Sequence, residues 1–269
     1  MPTHISSRHN AIVARYRAAA RGDDDLLLLD GVHLVSDAVA AGLTIEHAAV
    51  EVNAAGRDDL RRLMTSLAGR AVDVATATAA VMGALSPTRS PAAIVALAHR
   101  PAYNADALYA GRSPLVIVAC DIQDPGNLGA IVRAAEAGGA TGVIAAGVSA
   151  DPFGWKALRG SMGSALRLPV DRVADPAAAV DEARRRRCRI VATVPRAGRT
   201  LFEVDLTGPT AVLIGGEGPG LTDALIASAD ERITIPMQAP VESLNAAVTA
   251  ALVVYEARRQ RTHAHVPVS

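Results

Sequence analysis

The run Leu115-Val-Ile-Val-Ala-Cys120 leads directly into Asp121-Ile-Gln-Asp-Pro125-Gly126-Asn127-Leu-Gly-Ala-Ile-Val-Arg133. An unbroken apolar run closed by a proline- and glycine-bearing turn reads as a strand buried on both faces, and Leu128 to Ala137 behind it reads as a helix. The alternation recurs toward the C-terminus. Gly142 to Ala146, Ile190 to Val194, Ala211 to Ile214 and Ile233 to Ile235 are strand-like, whereas Pro176 to Arg187, Leu221 to Ala229 and Leu244 to Arg259 are helix-like. In the last of these, Leu244, Val248, Leu252 and Tyr255 share one face. Strand and helix alternating in this way predict an α/β fold built on a parallel sheet.

Toward the N-terminus, Leu26 to Leu29 closed by Asp30-Gly31, helical spacing from Val32 to Ala41, and the apolar run Ile94 to Ala98 predict a smaller α/β domain over residues 1–98. Residues 99–113 show little apolar periodicity and are expected to be a linker, leaving 114–269 as the second domain. Half of the 269 residues are hydrophobic, which is enough for a substantial core and excludes disorder as the dominant state. Aromatics are only 3%, so a surface that stacks bases on aromatic rings is disfavoured. Acidic and basic residues balance at 27 each, so any polyanion must be bound by a local patch. Cys120 and Cys188 lack the paired spacing of a zinc or redox site, and no metal is expected. No apolar run approaches the roughly 20 residues of a membrane span, and Met1 to Asn10 is polar. These features predict a cytoplasmic protein without membrane association.

Three segments at the C-terminal ends of predicted strands contain residues that a plain core does not require. Open α/β sheets bind ligands at that edge. The first is Asp121 to Arg133, in which Asn127 is placed to cap the following helix and Arg133 lies close to the strand end. The second is Ile214-Gly215-Gly216-Glu217-Gly218-Pro219-Gly220-Leu221, a glycine-dense turn matching neither the Walker loop nor the dinucleotide fingerprint. A carboxylate at Glu217 would repel phosphate, so the loop suits a ligand carrying positive charge, or Glu217 serves by hydrogen bonding to loop amides. The third is Ile235-Pro236-Met237 followed by Ser243-Leu244-Asn245, with Ser243 placed to cap the last helix.

Together these segments resemble the motifs of the SpoU, or TrmH, family of RNA ribose 2'-O-methyltransferases of the SPOUT class. The resemblance rests on Asn127-x-Gly129-x-x-x-Arg133, on Gly215-x-Glu217-x-x-Gly220-Leu221, and on Ile235-Pro236-Met237 with Ser243-Leu244-Asn245, in the family's order and spacing. Arg159-Gly-Ser161-x-Gly163 and Tyr255 to Arg261 also look like the family's connecting segments, although Ala246-Ala247 stand where the family often has Val-Ser. The resemblance implies a C-terminal trefoil knot, a homodimer with the site near the subunit interface, and S-adenosylmethionine as cofactor. It places Thr193, Gly215, Gly216, Gly218, Ile235, Met237 and Leu244 at the cofactor, and Asn127, Arg133, Glu217, Ser243 and Asn245 at the chemistry. The family's proposed base corresponds to Arg133. An arginine side chain stays protonated at neutral pH, so phosphate binding and stabilisation of a developing alkoxide suit it better.

The resemblance therefore implies methylation of a ribose 2'-hydroxyl in structured RNA. Ribosomal RNA is preferred because a separate module precedes the catalytic domain. The alternatives are a tRNA 2'-O-methyltransferase and a catalytically silent RNA-binding or ribosome-assembly protein. For RNA capture, Arg8, Arg15, Arg17 and Arg21 lie in a stretch without an acid, whereas the run Arg184 to Arg187 follows Asp181-Glu182 and reads as a solvated helix face.

Overall fold

The computed structural model describes residues 3–23, 25–103 and 105–263. Two compact units form, one of residues 1–102 with 153–167 and the other of 103–152 with 168–269.

In the first unit β1 (His4–Ile5), α1 (Ala11–Arg21), β2 (Leu26–Asp30), α2 (Val32–Ala40), β3 (Ile45–Glu51), α3 (Asp58–Ala68), β4 (Asp73–Ala77), α4 (Ala79–Leu85) and β5 (Ile94–His99) follow in order. The five strands form one sheet in the order β1-β4-β3-β5-β2, with β5 antiparallel to β2 and β3 and the other pairs parallel. Asn10 caps α1, accepting from the Ile12 amide at 3.0 Å, and Gly22 ends it in the left-handed conformation. Val13, Tyr16 and Ala19 turn the helix's apolar face onto Leu26 and Leu28.

Tyr16 is fully buried and its hydroxyl lies 2.8 Å from Nδ1 of His47, itself buried. Burial holds the His47 imidazole below its usual pKa, with Asp73 opposing and Arg15 adding to the shift. The unfolded chain takes up this proton near pH ~6.5, the folded one only at lower pH, so the unfolded state binds more protons between the two values. The contribution of His47 to stability is thus complete above the unfolded value and declines as pH falls toward the folded one. Thermal unfolding followed from about pH 7.5 to about pH 5 should show a falling Tm that is flatter in His47→Gln.

The second unit starts earlier than the expected domain. Leu108, in α5 (Ala105–Leu108), and Tyr109 are buried in its core, so this part of the expected linker is structural. β6 (Leu115–Cys120), α6 (Pro125–Gly138) and β7 (Gly142–Ala146) come next. The segment after β7 holds α7 (Trp155–Ser161), which clusters with the first unit. Trp155 packs against that unit's core, and Arg167 pairs with Asp37 at 3.2 Å. The expected boundary at 114 counted these residues with the second domain, and their packing moves them out of it. The second unit continues with β8 (Val170–Val173), α8 (Pro176–Arg185), β9 (Arg189–Thr193), β10 (Arg199–Thr200), β11 (Thr210–Gly215), α9 (Asp223–Ser228), β12 (Glu231–Thr234) and α10 (Ala246–His263).

All seven strands of this unit pair in parallel, in the order β10-β12-β9-β11-β6-β7-β8. A parallel sheet needs cover on both faces. α6 and α10 pack against each other over β6, β7 and β11, and α8 covers β6 to β9. The close fit of α6 on α10 depends on Gly138, where an added Cβ would come within 2.1 Å of Val254. The apolar face expected on the last helix is not the one that builds the core. Ala250, Val253, Val254 and Ala257 are buried, whereas Val248, Leu252 and Tyr255 are 47%, 40% and 52% exposed.

The far end of α10 is fastened by Arg261, which donates to the carbonyls of Leu206 at 2.8 Å, Ser113 at 2.7 Å and Gly208 at 2.8 Å. Gln260 adds a reciprocal pair, accepting from the Leu206 amide and donating to the Val204 carbonyl. Arg261→Ala leaves three carbonyls without this partner and is expected to destabilise the protein by about 2–3 kcal/mol, read as a lowered midpoint in urea. Among the described residues no helix is long and apolar enough to cross a membrane.

Candidate functional site

The second and third motif segments line one cavity of about 500 Å³ at the C-terminal ends of β9, β11 and β12, and the first is tied to them through Asn127. Each of the expected cofactor residues lines it: Thr193, Gly215, Gly216, Gly218, Ile235, Met237 and Leu244. Glu217, Ser243 and Asn245 line it as well. Val194, Asp223 and Thr249 join them without having been singled out in the sequence. Asp223 follows Gly220-Leu221 by two residues, close enough that an acid at the helix start could have been read as part of the loop.

The glycine loop is shaped by close backbone approach. Gly216 and Gly220 form an isolated antiparallel bridge, and Gly218 and Gly220 have φ of +99° and +70°, a region that glycine enters without strain. A Cβ on Gly215 would sit 2.5 Å from the Leu221 nitrogen, and one on Gly216 would sit 2.2 Å from the Asp121 carbonyl oxygen. Asp121, at φ +58°, directly follows β6, and its Oδ1 accepts from the Val148 amide at 2.9 Å. The loop is thus seated on the end of the neighbouring strand. Thr193 Oγ1 donates to the Leu213 carbonyl at 2.9 Å, joining the ends of β9 and β11.

Three polar side chains tie the motifs together. Asn127 donates to Glu217 Oε1 at 2.5 Å, and the Asn245 amide nitrogen lies 3.0 Å from Asn127 Oδ1 and 3.3 Å from Glu217 Oε1. Glu217 is therefore held by two side-chain amides, in place of the loop amides expected. Asn127 is not the cap of α6. Asp124 is, accepting from the Asn127 amide at 2.7 Å, with Pro125 at the first helical position that proline favours. Nor does Ser243 cap α10, since Asn245 Oδ1 accepts from Ala247 and Val248 at 2.9 and 3.3 Å. Asn245 thus starts the helix with its oxygen and binds the other motifs with its nitrogen.

Arg133 stands apart. It is exposed on α6, six residues beyond Asn127 and so about 9 Å farther along the helix axis, and it is outside the cavity lining.

In the first unit, Arg8, Arg17 and Arg21 line a shallow groove of about 310 Å³ along α1, together with His9 and Asn10. Arg8 Nε donates to the Ala80 carbonyl at 2.9 Å, and Arg21 pairs with Asp23. Arg15 is outside this lining and is ion-paired with Glu46. The run Arg184 to Arg187 is largely absorbed by acids, Arg185 and Arg186 on Glu182, Arg186 also on Asp106, and Arg184 on Asp230.

Known proteins share this architecture. The SpoU rRNA Methylase family profile matches residues 114–255. An uncharacterised tRNA/rRNA methyltransferase of Synechocystis is 32% identical over 98% of this chain and 96% of its own length. The 23S rRNA (guanosine(2553)-2'-O)-methyltransferase RlmP of Bacillus subtilis is 31% identical over 88% of this chain and 90% of its own. The crystal structure of the SpoU methyltransferase AviRb from Streptomyces viridochromogenes, in complex with the cofactor AdoMet, aligns with a TM-score of 0.84 at 30% identity, over 94% of this chain and 99% of that one. Likeness along nearly the whole chain, joined to motif segments tied together at the sheet's C-terminal edge, makes this chain a member of the SpoU rRNA methylase family.

Proposed function

We propose that this protein transfers the methyl group of S-adenosylmethionine to a ribose 2'-hydroxyl of ribosomal RNA. The observation that carries the reading is that the second and third motif segments line one cavity at the sheet's C-terminal edge, with Asn127 of the first segment hydrogen-bonded to Glu217 and Asn245 in its wall. The cavity suits the cofactor. Its volume falls within the range of small-molecule sites, its floor is apolar, and glycines bring bare backbone to its wall where a Cβ would clash. Residues 215–221 and 235–245 would hold it, and when bound it supplies a methyl on a sulfonium leaving group.

The protein's own part is alignment of the ribose oxygen with that methyl and stabilisation of the charge that develops on the oxygen. Asn127 and Asn245, fixed by Glu217, offer neutral polar groups beside the cavity. Arg133 supplies a guanidinium for the RNA phosphate and the developing alkoxide. Its place outside the cavity lining favours a site completed by a second copy, and the exposed stripe Val248, Leu252 and Tyr255 on α10 gives a homodimer an apolar face to bury. The small N-terminal domain would then hold RNA by Arg8, Arg17 and Arg21. With ribosomal RNA as substrate, the protein would work in the cytoplasm.

Labelled methyl transfer to unmodified total RNA, fractionated into ribosomal and transfer pools, tests the reading. Label in the ribosomal pool is expected; label confined to tRNA would move the substrate class. Absence of label with cofactor bound would favour a silent binder. For the groove, the triple variant R8A/R17A/R21A should weaken RNA binding and reduce the salt slope of log K by roughly 2–3, whereas Arg15→Ala should leave both near wild type.

A further inference from the structure

We propose that Asp223 makes the cofactor cavity prefer S-adenosylmethionine over S-adenosylhomocysteine, the product left after transfer; the proposal rests on the cofactor reading above. The charged side chains lining the cavity are two carboxylates, Glu217 and Asp223, and no arginine, lysine or histidine is among the lining residues. Glu217 is engaged by Asn127 and Asn245. Asp223, exposed at the first position of α9, has no ion-pair partner among the described residues. Helix capping does not occupy it either, because Thr222 caps α9, accepting from the Leu225 amide at 3.3 Å. Arg196, beside the lining residue Pro195, pairs with Glu242 at 3.1 Å.

The two forms of the cofactor differ by one charge. The donor carries a sulfonium, an ammonium and a carboxylate, a net charge of about +1 at neutral pH; when the methyl bonds to the ribose oxygen the sulfur keeps the C–S electron pair, the hydroxyl proton leaves to solvent, and a neutral thioether remains. Apolar and backbone contacts do not sense this change and bind both forms alike. An anionic wall without a compensating cation does sense it, and the concave shape of the site focuses its solvent-screened field. The cavity therefore holds the donor more firmly than the spent product, which favours product release after each transfer.

Isothermal titration of the full-length protein with S-adenosylmethionine and separately with S-adenosylhomocysteine tests this. Asp223→Asn should weaken donor binding roughly fivefold, the scale of one partly screened charge pair, with product affinity within about twofold of wild type. Asp223→Glu should retain the preference, and Glu203→Gln, which removes a carboxylate away from the cavity, should leave it unchanged. Equal weakening of both ligands by Asp223→Asn, or no change in either, would overturn the proposal. Failure of the unaltered protein to bind either form would instead overturn the cofactor reading and the proposal with it.

Discussion

Replacing Arg133 by alanine is expected to lower kcat for RNA methylation by roughly 10²–10³-fold, the usual effect of removing one donor aimed at developing negative charge. The Kd for S-adenosylmethionine should stay within about twofold of wild type, because Arg133 is outside the lining of the cavity. Arg133→Lys keeps the charge but loses the planar fork that grips a phosphate, so partial recovery at most is expected. The position of Arg133 adds a sharper test. If it serves the partner's cavity, an equal mixture of Arg133→Ala protein and a cofactor-blind variant should regain activity, since each mixed dimer pairs one good cavity with one good arginine. Random re-pairing makes half the dimers mixed, each with one competent site of two, so the mixture should approach about a quarter of wild-type activity. No recovery, with mixed dimers demonstrated, would place the arginine in the same copy as the cavity it serves.

The parallel sheet was legible because β6, β7 and β11 are buried on both faces and appear as plain apolar runs. β8 and β10 were not. β8 exposes Asp171 and Arg172 near the edge of its sheet, and β10 has only two residues. The site was legible for a different reason. Its motifs are local stretches of unusual composition, and the fold needs only to bring strand ends together for them to meet. Caps were harder, since Asp121 to Asn127 offers three residues able to cap, and Pro125 selects Asp124 among them. On α10 the spacing of Val248, Leu252 and Tyr255 reveals an apolar face, but periodicity says nothing about what covers it. The placement of 153–167 with the first unit was hidden for the same reason, because Phe153, Ala157 and Leu158 show that the segment is buried and not against which sheet. Arg15 shows the limit for charge, since its partner Glu46 is 31 residues away and a run of arginines does not disclose it.

Gly216→Ala should impair cofactor binding more than its single added methyl suggests. At this position φ is not the obstacle, because Gly216 is absent from the positive-φ glycines. The obstacle is the Asp121 carbonyl oxygen, 2.2 Å from where the Cβ must go. A flexible side chain could swing aside, but this oxygen belongs to backbone at the end of β6, where Asp121 is also held through its carboxylate to Val148. The loop must move instead. Its other contacts resist: Gly215 is pressed against Gly220 and Leu221, and Glu217 is tied to Asn127 and Asn245. Overpacking of this sort costs about 1–3 kcal/mol. Charged to the cofactor-binding conformation of the loop, that is roughly a 5- to 150-fold rise in the Kd for S-adenosylmethionine. Because the sheet's core lies away from the loop, Tm should fall by only a few degrees, and calorimetric titration beside thermal unfolding separates the two effects. An unchanged Kd would mean that the loop relaxes freely and that Gly216 does not shape the cavity. A rise in Kd toward the upper end of that range, with the fold retained, also provides the cofactor-blind partner for the mixed-dimer experiment with Arg133→Ala when S-adenosylmethionine is held well below the raised Kd, so that a single pair of variants reports both how the cavity is held open and which copy supplies the arginine.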